Sequence, residues 1–235
     1  MNRFNLRLPP RYALGYKEYI SIIRCIFHYR KQGLDPGYDG FYEELFTSRF
    51  STYMGGGYTD AVSSGCASIY LALKSLNLPK KSLVATSPVT DASVIGAITQ
   101  LDLVPYLIDS SPYSYNTGLS ELIERYRSEI SAFVLTHAGG VPCCDTTKIL
   151  EFCNSNDIHL IEDCSQAIGA IPPGSNKKVG MFGKFGCFST MYRKNLSVSG
   201  SSGLIFANDF DDYKLAKQHA DRGKRWWDKE SVDMR

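Results

Sequence analysis

The chain has 235 residues, 43% of them apolar and 21% charged, which suits one large domain with a buried core. Its formal net charge of +2 is too balanced to attract nucleic acid or a membrane surface by electrostatics alone. The opening MNRFNLRLPPRYALGYKEYI holds no continuous apolar segment and does not read as a secretory leader, and nothing approaches the ~20 apolar residues that span a bilayer.

In chain order, Tyr16, Ile20, Ile23 and Phe27 recur at helical spacing and predict a first helix. GLDPGYDG breaks it, FYEELFTSRFSTYM predicts a second helix, and Gly55-Gly56-Gly57 closes that one. From there the chain alternates. Strands are predicted at TDAV, LVAT, VPYLI, AFVLT, HLIED, GCFST and GLIFA. Helices are predicted at GCASIYLALKSL, TDASVIGAITQ, LSELIERYR and TTKILEFCNSN. This alternation predicts an α/β fold: a mostly parallel seven-stranded sheet with helices on both faces, preceded by an α-helical N-terminal segment. GCFST and GLIFA have no helix between them, so a tight connection and an antiparallel pair are expected. The end, LAKQHADRGKRWWDKESVDMR, starts helical and turns polar.

The seven cysteines (Cys25, Cys66, Cys143, Cys144, Cys153, Cys164 and Cys187) are odd in number and lack zinc-site spacing. They are expected to be reduced structural thiols in a cytoplasmic protein, with no metal bound.

Open sheets of this kind bind ligands at the carboxyl ends of their strands. After TDAV, Ser63-Ser64-Gly65-Cys66-Ala67 opens a helix; it is either an anion cradle or an ordinary serine cap. Asp163 ends HLIED, with Gln166 three residues on; an aspartate there is commonly a turn residue. Ser189 closes GCFS, and Lys194 follows in a Ser/Gly-rich turn, where a lysine is ordinarily solvated. Together, a cradle, a carboxylate, a serine and a lysine meet the needs of pyridoxal 5'-phosphate. The lysine can form a Schiff base, and the carboxylate can hold the pyridine nitrogen protonated.

The succession VSSGCASIYLAL, VPYLID, LTHAGG, LIEDCSQAIGA, VGMFGKFGCFS, RKNL and SGLIFAND is similar to the DegT/StrS family. These are pyridoxal-phosphate-dependent nucleotide-sugar aminotransferases of the aspartate aminotransferase superfamily, fold type I. The resemblance runs from about Gly37 to the end of the chain. It implies that Lys194 is the Schiff-base lysine and proton shuttle, and that Asp163 partners the pyridine nitrogen. It sets Gln166 beside the ring hydroxyl and Gly65, Cys66 and Ser189 in the phosphate cradle. His137 matches a family histidine, with a catalytic role and a buried structural one both open, and Asn195 follows the lysine as in many members.

The resemblance further implies a cytoplasmic homodimer that moves an amino group from an amino acid, glutamate, to a nucleotide-linked keto-sugar for surface polysaccharide or lipopolysaccharide biosynthesis. Its dehydratase branch carries histidine in place of the lysine, so Lys194 argues against that branch. The implied domains are a helical segment 1–57, a cofactor-binding large domain 58–222, and the truncated start of a C-terminal part at 223–235.

The chain also departs from the family pattern. A gapless reading puts Asp91 where an aromatic residue stacks on the cofactor ring, a contact of about 0.5–1.5 kcal/mol beyond area effects. Cys66 replaces a hydroxyl residue, and Thr190 stands where an aromatic is common. The small C-terminal domain of the family is expected to be missing. These departures define a competing function: a non-catalytic member that keeps the fold and binds cofactor or a partner without turnover.

Overall fold

The alternating apolar runs and amphipathic stretches fold, in a computed structural model describing residues 15–33, 40–192, 194–198 and 200–220, into one seven-stranded sheet clad by helices on both faces. Helices α1 (Tyr16–Gln32) and α2 (Phe41–Met54) precede it, and each stops at a glycine in the left-handed region, Gly33 at φ 63° and Gly55 at φ 108°. Only a residue without a Cβ adopts that cap at no steric cost. The strands are β1 (Tyr58–Val62), β2 (Leu83–Thr86), β3 (Val104–Leu107), β4 (Ile130–Thr136), β5 (His159–Asp163), β6 (Phe185–Ser189) and β7 (Gly203–Ala207). Between and after them run α3 (Gly65–Ser75), α4 (Ala92–Gln100), α5 (Leu119–Glu124), α6 (Thr146–Ser155) and α7 (Phe210–Ala220).

The sheet order is β1-β7-β6-β5-β4-β2-β3. Strands β6, β5, β4, β2 and β3 pair in parallel, while β7 runs antiparallel to both its neighbours, β6 and β1. The carboxyl ends of β1, β2, β4, β5 and β6 therefore share one edge of the sheet with the amino end of β7. Period-2 alternation splits the core. On β4, Ala132 and Val134 face the cluster under α3, α4 and α7, while Phe133 and Leu135 face the cluster under α5 and α6. A third cluster joins Phe50 and Met54 of α2 to Phe188, Leu204 and Phe206.

Two expectations change. The antiparallel β6–β7 pair is present, but its connection is not tight: its described residues, 190–192, 194–198 and 200–202, lie in a broad loop. That loop is held by its own backbone bonds, with Thr190 N–H donating to Ser202 O at 2.9 Å and Val198 N–H to Thr190 O at 2.8 Å. Helix α5 also stops at Glu124, three residues short of the end of the predicted LSELIERYR, where the guanidinium groups of Arg125 and Arg127 lie 5.6 and 5.2 Å from the Tyr106 ring.

Cys143, Cys153, Cys164 and Cys187 are buried free thiols, as expected of core residues, and burial pushes Cys153 up to about 12. Among the described residues no helix is long and apolar enough to cross a membrane. The expected polar tail and the proposed 223–235 segment lie outside the described residues, as does Arg193 of the RKNL run.

Candidate active site

A cleft of about 170 Å³ opens at the shared strand edge. Its wall includes Gly65 and Cys66 from α3, Asp163 from β5, Ser189 from β6, and Lys194 from the 190–202 loop. Gln166 lines it as well, so all six residues assigned from the sequence to cofactor binding meet here.

The cradle forms where β1 turns into α3. Ser64, extended at φ −168°, caps the helix by accepting Ala67 N–H at 3.0 Å, and the helix N-terminus opens on the cleft. A Cβ at Gly65 would stand 2.7 Å from Ser189 Cβ, and one at Gly203 would stand 2.7 Å from Gly65 N. Glycine at both points lets the helix start close against β6 and β7. Helix N-termini attract anions through free N–H groups and the macrodipole, and the hydroxyls of Ser64, Ser165, Ser189 and Ser201 add to this wall.

Asp163 is buried, and Ser165 N–H donates to its Oδ1 at 3.0 Å. Burial holds its carboxyl above the usual carboxylate range, against the opposing pull of Ser165, His137 and Lys194. Gln166 is oriented by the turn after β4: its Oε1 accepts Gly139 N–H at 2.7 Å. Lys194 N–H donates to Met191 O at 2.9 Å, closing a local turn, and its side chain lines both the cleft and an adjoining pocket of about 160 Å³. Asn195 lines that second pocket rather than the cleft.

Asp91 is on the cleft wall too. It caps α4, its Oδ1 accepting Ser93 N–H at 2.9 Å. Ser93 holds this carboxyl below its ordinary value through backbone and hydroxyl, with a smaller contribution from Lys194. The Cys66 sulfur stands 3.8 Å from Ser93 O, and burial, reinforced by Asp91, pushes its thiol up. Cys66 thus lines the cleft, unlike the buried Cys143, Cys153, Cys164 and Cys187.

The model of the DegT/DnrJ/EryC1/StrS aminotransferase family matches residues 35–233. The chain belongs to this family. Protein MosB of Rhizobium meliloti is 30% identical over 205 residues, covering 87% of this chain and 39% of that protein. The GDP-perosamine synthase of Escherichia coli O157:H7 is 28% identical over 170 residues, covering 72% of this chain and 46% of the synthase. The chain thus spans less than half the length of either relative. Among solved structures, NtdA from Bacillus subtilis with bound cofactor PMP superposes with a TM-score of 0.77 at 23% identity, covering 87% of this chain and 45% of NtdA. The chain therefore has the fold of that structure.

In this family member His137 does not line the cleft. It is fully buried; Nδ1 accepts Cys143 N–H at 3.0 Å, so the proton is on Nε2, which faces Glu162 Oε2 at 3.1 Å. Of the two roles left open for it, this geometry is the structural one. Glu162 itself escaped the sequence reading. Its Oε2 also accepts Gly180 N–H at 2.9 Å, and its Oε1 accepts Phe182 N–H at 2.7 Å and Gly183 N–H at 2.8 Å. The signal was present: in HLIED, alternation turns Glu162 and Asp163 to opposite faces, and a carboxylate on a buried face needs donors. Ser93 and Ser201 on the cleft wall carried no motif and were also missed. Thr190 is fully buried, and its hydroxyl has no hydrogen-bond partner among the described residues.

Proposed function

We propose that the chain carries the cofactor site of a pyridoxal-phosphate-dependent aminotransferase that moves an amino group from glutamate to a nucleotide-linked keto-sugar, for surface polysaccharide or lipopolysaccharide biosynthesis, as a homodimer. The observation that carries this reading is the convergence of Lys194, Asp163 and the start of α3, from three separate segments, on one cleft. Its likeness to a GDP-perosamine synthase supports the sugar class of the acceptor.

The residues fit the cofactor. The close approach of Gly65 to Ser189 leaves a cradle of N–H and hydroxyl donors suited to a phosphate. Asp163 is a buried carboxylate held by Ser165, and a protonated pyridine nitrogen would supply the cation that burial denies it. When bound, pyridoxal phosphate supplies an electron sink and a carrier for the amino group. Within this reading Lys194 would hold the cofactor through Nζ, and its amine would take and return the proton at the reacting carbon. The Asp163 carboxylate keeps the proton on the pyridine nitrogen. Gln166, its Oε1 occupied by Gly139, offers its amide NH2 to the ring hydroxyl.

Mass spectrometry after borohydride reduction of the pyridoxal-phosphate-saturated chain tests the reading: the cofactor adduct is expected on Lys194 and absent from Lys194→Ala. An adduct on another lysine, or none, would sink it. Asp163→Ala is expected to keep the fold by circular dichroism, weaken cofactor affinity about tenfold or more, ~1.4 kcal/mol, and abolish exchange with an amino donor. Unchanged exchange would leave Asp163 a strand-end cap.

Asp91 and Cys66 on the cleft wall favour a second reading, a member that binds cofactor without turnover. Turnover of glutamate and a keto-sugar nucleotide by the 235-residue chain would remove it.

A further inference from the structure

The cleft wall carries two carboxylates, Asp91 and Asp163, and one cation, Lys194, among the described residues; its other polar groups are hydroxyls, an amide and a thiol. Asp163 is taken by the pyridine nitrogen in the reading above, which leaves Asp91 as the second carboxylate on the wall that Lys194 also lines. The Asp91 cap of α4 favours this position, because swinging the carboxylate away would give up the bond from Ser93 N–H. The remaining titratable neighbour on the wall, Cys66 of α3, stays a neutral thiol, since burial and Asp91 both push it up.

We propose that Asp91 is a specificity-determining residue that makes this cleft favour the amine form of the cofactor, pyridoxamine phosphate, over the aldehyde form. The proposal rests on the cofactor reading of the same site. To join the aldehyde, the Lys194 ammonium gives a proton to solvent, and the neutral amine condenses at the aldehyde carbon, forming a carbon–nitrogen double bond and releasing water. The free ammonium on the wall shared with Asp91 is consumed. The amine form leaves that ammonium in place and brings a second amine into the cleft. A fixed anion favours the state with more positive charge beside it. An aromatic residue at the same point would stack on either form and would not discriminate between them.

The test is calorimetric titration of the full 235-residue chain with pyridoxal phosphate and with pyridoxamine phosphate. It compares the wild type with Asp91→Asn and Asp91→Ser, two uncharged residues that still cap a helix. The wild type is expected to bind the amine form more tightly, and both variants to lower the amine-to-aldehyde affinity ratio about tenfold, ~1.4 kcal/mol. The fraction of aldehyde form fixed to Lys194 by borohydride should rise in both variants. Binding of both forms with a ratio the substitutions leave unchanged overturns the role of Asp91 alone. Binding of neither form overturns the cofactor reading and this inference with it.

Discussion

Two carboxylates stand side by side at the end of β5, and their surroundings could hardly differ more. Glu162 points away from the cleft and is met by three backbone N–H groups of the 180–183 turn and by His137. Asp163 points into the cleft, with Ser165 its one hydrogen-bond donor among the described residues and a carboxyl that burial holds above its usual range. One is a structural hub whose donors are all internal. The other is buried without matching donors, which costs stability and leaves it ready for a cationic partner. The lesson is that burial does not separate structural from functional acids; the number of donors aimed at each one does.

The largest test breaks the hub. Glu162→Ala would strand the N–H groups of Gly180, Phe182 and Gly183 and the Nε2–H of His137. A loss of roughly 3–5 kcal/mol is expected, read as a drop in the urea midpoint at unchanged slope. A loss under about 1 kcal/mol, the worth of a single ordinary hydrogen bond, would show that the four donors find other acceptors and that the contrast with Asp163 is overstated.

A smaller effect is expected at the point where the cleft side is packed as tightly as the hub. Gly65→Ala places a methyl 2.7 Å from Ser189 Cβ, so α3 or β6 must shift. A cost of about 1–3 kcal/mol is expected, with weaker binding of phosphate-bearing ligands as the cradle is displaced. Unchanged stability and affinity would mean the cradle is loose.

The smallest effect has the opposite sign and sharpens the comparison. Asp163→Asn removes a poorly matched buried charge and is expected to stabilise the cofactor-free protein at neutral pH by roughly 0.5–2 kcal/mol, whereas every change at Glu162 destabilises. The pH dependence follows from the raised carboxyl of Asp163. Its folded pKa lies above the unfolded value of about 3.9, so its contribution to stability is complete below that value and is lost as pH rises through the folded pKa. Urea titrations across that window should show this slope in the wild type and not in Asp163→Asn. Parallel slopes would return the charge penalty to another group.

Much of this was legible in the residues. The runs LVAT, HLIED and GCFS are strands because β-branched and aromatic side chains fit a buried pleat, and the ends of the last two located Asp163 and Ser189. Lys194, Gly65, Cys66 and Gln166 were named from their place after those strands and from the family pattern, and they line the cleft or its rim. Other features were not legible. The lack of a helix between β6 and β7 suggested a tight connection, but the broad loop there is set by pairings such as Tyr192 N–H to Gly200 O at 3.0 Å, which leave no compositional trace. His137 read equally well as catalytic or structural, because what decides it is Cys143 N–H on one ring nitrogen and Glu162 on the other.

The sequence by itself determined the local elements, the residue at each strand end, and the face to which each side chain of β5 turns. These follow from side-chain shape and the two-residue period of a strand, which need no distant partner. Tertiary structure alone decided that the first strand lies beside the last, with Val62 opposite Gly203 and the Ser201 hydroxyl donating to Ser63 O at 3.0 Å. It also decided that Gly65 meets Ser189, and that Glu162 rather than Asp163 receives the donors of the 180–183 turn. Each of these depends on groups far apart in the chain, brought together only when the whole sheet closes its order.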